Sequence, residues 1–212
     1  RGDQPIFIDA ENYCMIFNGE IYNFKSLRDE LTRKGYFFSS GSDTEVLLVA
    51  YACFGPEVLS KLNGMFAFAI YDKLKSRLFL ARDPSGQKPL FYRYENNFFE
   101  FASTLECLLT NSKAERRLNI NSTDEYFAYG YVTGDETLIT GIKKLMPGVS
   151  ISLDIETMNI NFKQYWKLPS YTPYIYSEDD LVIELESILT SAISDQLVAD
   201  VNVGVLLSGG LD

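Results

Sequence analysis

Histidine is absent from the 212 residues. That excludes serine–histidine–aspartate and cysteine–histidine catalysis, and histidine-ligated zinc, from within them. Any nucleophile here needs another base. Cysteine is scarce: Cys14, Cys53 and Cys107 are an odd number for a disulfide framework and have no metal-type spacing. Each sits in an apolar context, which predicts buried, reduced thiols and suits a cytoplasmic protein. Positive charge is in deficit, with 19 Lys and Arg against 29 Asp and Glu and a net charge of −10. Such a chain is a poor candidate for holding a phosphate backbone, so no nucleic acid partner is expected. No apolar run is long enough to span a bilayer, so the chain reads as soluble, with no membrane partner. No signal-peptide pattern opens it, although its first residue is Arg1 and not Met.

What is present is enough apolar matter for a real core. The chain is 46% hydrophobic and 14% aromatic, which at this length suggests one large domain, or one plus a fragment. The apolar run Tyr13 to Phe17 reads as a buried strand that stops on Asn18-Gly19, a strong turn dipeptide. Glu20 follows at once, and a helix pattern opens at Asn23. Asn18 can offer amide N–H, and Gly19 can offer backbone N–H with no side chain in the way. Two such donors make an oxyanion hole. The simpler reading is a plain turn in which Asn-Gly only supplies positive φ.

Further along, Ile6-Phe7-Ile8 can pair with the first strand. Leu27 and Leu31 mark one face of a helix from Asn23 to Lys34, and Tyr36 to Phe38 reads as a short strand. In Gly41-Ser42-Asp43-Thr44-Glu45, Ser42 and Glu45 have capping-box spacing before an apolar helix to Phe54. Asp43 then lies near the positive end of the helix dipole. It either complements that dipole or receives a ligand ammonium. Gly64–Asp72 and Arg77–Asp83 form a central hairpin. The first arm is apolar on both faces, which implies layers above and below the sheet. Leu90–Tyr94 and Phe98–Ala102 are two more strands, Ser103 and Ser122 each cap a helix, and Ile142–Leu145 pairs with Val149–Leu153 across Pro147-Gly148. Ile160–Trp166 is a last strand. The expected fold class is α+β: four layers, or a two-layer domain, of antiparallel strands flanked by helices.

Pro169–Ser177 loses periodicity and reads as a linker. Glu178–Val198 is then an amphipathic helix, with Leu181, Leu185, Ile188, Leu189 and Ile193 on one face. Val201–Leu207 reads as a strand running into Ser208-Gly209-Gly210-Leu211-Asp212. Glycines there let backbone N–H groups close around an oxyanion, and Asp212 can reach a metal held by phosphates. It is not a Walker loop, since no Gly-Lys-Ser/Thr follows, and an ordinary strand–turn fits the same residues.

Taken in order, these motifs resemble the glutamine-dependent asparagine synthetases of the class II amidotransferase type. The resemblance is carried by Gln4-Pro5, Phe17-Asn18-Gly19-Glu20-Ile21-Tyr22-Asn23, Gly41-Ser42-Asp43-Thr44-Glu45, Gly64-Met65-Phe66-Ala67-Phe68-Ala69, Ala81-Arg82-Asp83, Gly86-x-Lys88-Pro89-Leu90, Phe101-Ala102-Ser103, Lys144-Leu145-x-Pro147-Gly148 and Val205 to Asp212. It implies an αββα sandwich of the N-terminal-nucleophile hydrolase type over residues 1–166. A linker over 167–177 and the start of an α/β ATP-pyrophosphatase domain over 178–212 would follow. It implies the substrates glutamine, aspartate and ATP, magnesium as metal, and ammonia passed between two sites, and it leaves room for a homodimer. On this resemblance Asn18 and Gly19 are the oxyanion pair, and Glu20 and Asp43 hold the glutamine backbone groups. Met65 and Leu206 lie near the ammonia route. Leu206, Ser208, Gly209 and Gly210 take ATP, and Asp212 takes the magnesium. The family nucleophile is an N-terminal cysteine whose own amine is the base, and that position falls before Arg1. The 212 residues by themselves are therefore expected to hydrolyse no glutamine. Gln87 departs from an apolar tunnel wall and keeps open a related amidotransferase with another carboxylate acceptor, a sugar acid or a peptide. A non-catalytic glutaminase-like binding module is a separate alternative, against which the intact Asn18, Gly19, Glu20 and Asp43 argue.

Overall fold

Alternating and double-sided apolar runs dictate most of what the computed structural model shows, over residues 3–9, 11–111, 116–173, 176–197 and 202–210. The chain divides into two units, residues 1–168 and 169–212. In the first, β1 (Ile6–Ile8), β2 (Tyr13–Ile21), β3 (Gly64–Asp72), β4 (Arg77–Arg82), β8 (Val149–Asp154) and β9 (Ile160–Gln164) form a six-stranded sheet. The order is β1-β2-β3-β4-β8-β9, with every pairing antiparallel. A smaller sheet has the order β6-β5-β7, from β5 (Phe91–Glu95), β6 (Phe98–Ala102) and β7 (Lys143–Lys144).

β3 is buried on both faces, as its composition requires. Phe66, Phe68 and Ile70 point to a core roofed by α1 (Phe24–Arg33) and α2 (Asp43–Phe54). The alternate residues Ala67 and Ala69 join Leu80, Leu90, Tyr92, Leu145, Ile151 and Leu153 in a second core that both sheets line. α3 (Leu105–Asn111) packs against β6 and buries Leu108. The unit is thus α+β, with helices and sheets in the αββα arrangement. α4 (Ile120–Tyr129) precedes the 130–142 connection.

Several local expectations are corrected. β2 does not stop at Asn18: it runs to Ile21, because nine residues of β3 pair with all nine of β2. Ladder hydrogen bonds hold Asn18-Gly19 extended and outweigh its turn preference. Tyr36–Phe38 is not a strand; with no partner ladder it is a connection, and Phe37 is exposed. Thr104, not Ser103, accepts an N–H of the first turn of α3, that of Cys107. Asn119, not Ser122, caps α4. Pro147-Gly148 is not a hairpin turn, since β7 belongs to the small sheet and β8 to the large one. The thiols are not buried: Cys14 and Cys53 are half-buried, Cys107 is exposed, and all three are free.

The second unit contributes α5 (Glu178–Gln196), capped by Ser177, whose hydroxyl accepts the Asp180 N–H. The strand expected at Val201–Leu207 is not formed. Val201 lies outside the described residues, and 202–207 carry no strand pairing, since an apolar segment becomes a strand only beside a partner that takes its N–H and C=O groups. Among the described residues no helix is long and apolar enough to cross a membrane.

Candidate active site

Along the end of β2, odd and even residues do different work. Phe17 and Ile21 are buried toward the helices. Their backbone groups, however, are met by side chains and not by a strand. Gln4 pairs with Phe17 at both ends of its amide: the Phe17 N–H donates to Oε1 at 2.6 Å, and Nε2 donates to the Phe17 carbonyl at 2.7 Å. The Ile21 N–H donates to Oδ2 of Asp43 at 3.0 Å. Alternation puts the Gly19 N–H on this same edge, between those two, and no partner for it is found among the described residues. Gly19 sits at φ +153°, and a Cβ there would lie 2.1 Å from the Met65 carbonyl oxygen. Glycine is therefore required by the close β2–β3 approach.

The neighbouring even residues complete the cluster. Asn18 makes no side-chain hydrogen bond among the described residues, so both amide N–H donors are available. It borders a 210 Å³ cleft between the sheets, together with Gln4, Ala67, Ala69, Phe101 and Ser103. Glu20 and Asp43 approach one another closely enough to interact. Burial, then the Asp43 charge, holds the Glu20 carboxyl above its usual range, while the Lys88 ammonium pulls it back. Two carboxylates, an amide and an open backbone N–H thus converge at one strand end. The carboxylates suit an ammonium, and the two donors suit a carbonyl oxygen gaining charge.

The support is built from β4 and the turn after it. Asp83 is fully buried. Its Oδ1 accepts the N–H groups of Ser85 and Gln87, and its Oδ2 those of Lys88 and, at 3.3 Å, Phe66, the residue opposite Gly19. Arg82 donates to the carbonyls of Gly86, Lys88 and Leu145, each at 2.7 Å. Together they fix the loop that brings Lys88 to Glu20. Gln87 is exposed on it. Gln4, Lys88 and Asp83 were not singled out as site residues by the sequence reading. Gln4 reaches Phe17 across 13 residues, Asp83 reaches Phe66 across 17, and Lys88 meets Glu20 from far along the chain, contacts that no local pattern reveals. Met65 lies opposite Glu20 in the ladder.

In the second unit Leu206 is fully exposed. Ser208 Oγ accepts the Gly210 N–H at 3.2 Å. A Cβ at Gly209 would meet nothing, so sterics among the described residues do not explain that glycine. Leu211 and Asp212 lie outside the described residues.

Residues 1–166 match the model of the glutamine amidotransferase domain, and residues 184–212 match that of asparagine synthase. The glutamine-hydrolysing asparagine synthetase 1 of Bacillus subtilis is 39% identical over the whole chain. Asparagine synthetase B of Escherichia coli is 31% identical, again over the whole chain. The chain covers 33% of each, so it spans about a third of the length of these curated relatives. Among solved structures, a glutamine phosphoribosylpyrophosphate amidotransferase of B. subtilis superposes with a TM-score of 0.51. Its sequence identity is 21%, over 77% of this chain and 32% of that one. That likeness speaks for the fold alone.

Proposed function

Over residues 1–166 the chain belongs to the glutamine amidotransferase domain family, and from that membership we propose that it is part of a glutamine-dependent asparagine synthetase. The observation that carries the reading is the convergence at the end of β2. The Glu20 and Asp43 carboxylates receive the α-ammonium of glutamine. The side-chain amide carbonyl then lies by the Asn18 amide and the Gly19 N–H, which take the negative charge that grows on its oxygen as the C–N bond is attacked. Cys14, Cys53 and Cys107 are assigned no part in that attack: Cys14 is bound into the β1–β2–β3 ladder, and the others stand on α2 and α3.

The match of residues 184–212 to asparagine synthase supports a second step, in which ATP activates aspartate and the released ammonia is consumed. Ser208, Gly209 and Gly210 would hold the phosphates, since their N–H groups and the serine hydroxyl are the donor set that phosphate oxygens need. Asp212 would hold magnesium, which neutralises charge on those oxygens. A cytoplasmic location and a homodimer complete the proposal.

The test is glutamine hydrolysis by the full-length protein. Glutamate should be released by the wild type, and Asn18→Ala should lower turnover about two to three orders of magnitude without loss of fold. A wild type that releases no glutamate, or an Asn18→Ala variant with unchanged turnover, would overturn the reading.

A further inference from the structure

We propose that Glu45 is a positioning residue for Asp43, acting through the serine loop before α2. The inference rests on the reading of Asp43 as the amine-binding carboxylate. Spacing alone puts Glu45 in a capping box with Ser42, an ordinary helix start, and the structure shows a different arrangement. Ser42 Oγ accepts from Thr44, and Glu45 does not reach back to Ser42. Glu45 is 5% exposed, and its carboxylate is turned over the preceding loop. Oε1 accepts the N–H and the hydroxyl of Ser39, both at 2.7 Å. Oε2 accepts the N–H of Ser40 at 2.7 Å and its hydroxyl at 2.6 Å.

The loop is held from the other side too. The Arg28 guanidinium donates to the Ser40 carbonyl and lies over the Phe38 ring at 4.7 Å. From Ser40 the bonds run on toward the site. Ser40 Oγ accepts the Ser42 N–H at 3.2 Å, Ser42 Oγ accepts the Thr44 N–H at 3.1 Å, and Thr44 Oγ1 donates to Asp43 Oδ1 at 3.3 Å. The series ends where Asp43 Oδ2 meets the Ile21 N–H. Asp43 is the first residue of α2, and a first turn is the part of a helix most easily lost when its orphan N–H groups lose their partners. The course of the chain into α2 therefore decides where the Asp43 carboxylate stands, and Glu45 sets that course. Burial would push the Glu45 carboxyl up, but its hydrogen bonds to Ser39 and Ser40 prevail and hold it below the usual range. A neutral glutamine would turn an NH₂ donor toward groups that are themselves donors.

Two measurements test this, one of them independent of activity. In Glu45→Gln, exchange of the Ile21 amide hydrogen should speed up about tenfold or more, while that of Phe17, on the same strand, stays within about twofold. In the full-length protein the same variant should raise KM for glutamine about tenfold with kcat within about twofold. On an Asp43→Asn background it should add less than about twofold, because both changes act on one carboxylate. An unchanged Ile21 exchange rate overturns the inference whether or not the glutamine reading stands. So does a KM effect that multiplies fully with Asp43→Asn. A wild type without glutamine hydrolysis overturns the glutamine reading, and with it the role in substrate binding, even if Ile21 responds. Should Glu45→Gln fail to fold, Ser39→Ala removes only one hydroxyl donor to Glu45, and the same pattern at reduced size is expected.

Discussion

At the scale of single residues, chemistry is separated from support along one strand. Asn18 and Gly19 keep open donors, while Phe17 and Ile21 on the same strand are bonded by Gln4 and Asp43. Gln4→Ala should therefore lower kcat more than it raises KM, since it loosens the donor edge and leaves the carboxylates in place; steady-state kinetics of the full-length protein checks this. Glu20 gives a pH prediction. Its carboxyl is held above 4.5, so its ionisation opposes folding, and it accepts a proton at a higher pH than an ordinary glutamate. Glutamine affinity should fall as the pH is lowered through that raised value, and Glu20→Gln should remove this limb. An affinity that holds constant down to pH 4.5 would contradict the role given to Glu20. Asn18-Gly19-Glu20 alone left an oxyanion pair and a plain turn both open, and only the resemblance to a family favoured the pair. The clamps were not, because Gln4 and Asp43 reach Phe17 and Ile21 across 13 and 22 residues.

At the scale of elements, the apolar patterns specified the strands and helices better than their ends. β3 was readable because both its faces are apolar, and α1 because Leu27 and Leu31 recur at helical spacing. Caps failed where two candidates lay side by side, as with Thr104 beside Ser103. Pro147-Gly148 failed because turn chemistry does not say whether two strands share a sheet. The element that most directly supports the site is the turn after β4. Asp83→Ala would leave several buried N–H groups without their charged acceptor, at about 1.5–3 kcal/mol for each bond not replaced by water. A loss of at least about 3 kcal/mol is expected in urea unfolding, with a lower midpoint and an unchanged slope. A loss under about 1 kcal/mol would show that Asp83 is not what holds the 85–88 loop.

At the scale of the whole molecule, the fold class was available from the run of antiparallel strands flanked by helices, and layers above and below the sheet from the double-sided apolarity of β3; the αββα sandwich itself was implied only by the resemblance to a family. The second unit was less readable. α5 forms as its pattern requires, whereas the strand expected before Ser208 has no neighbour to pair with among the described residues. Leu181, Ile188 and Ile193 of α5 are each more than 40% exposed, so an apolar stripe predicted the helix but not its burial. The central claim is that ammonia from glutamine is used on aspartate at the expense of ATP. The most direct test gives the full-length protein glutamine, ATP, magnesium and aspartate, and follows asparagine, glutamate and AMP together. Asparagine and AMP formed in equal amounts, with glutamate at least equal to them, is the result this account predicts. Glutamate formed with neither asparagine nor AMP would contradict it and assign the ammonia to another acceptor.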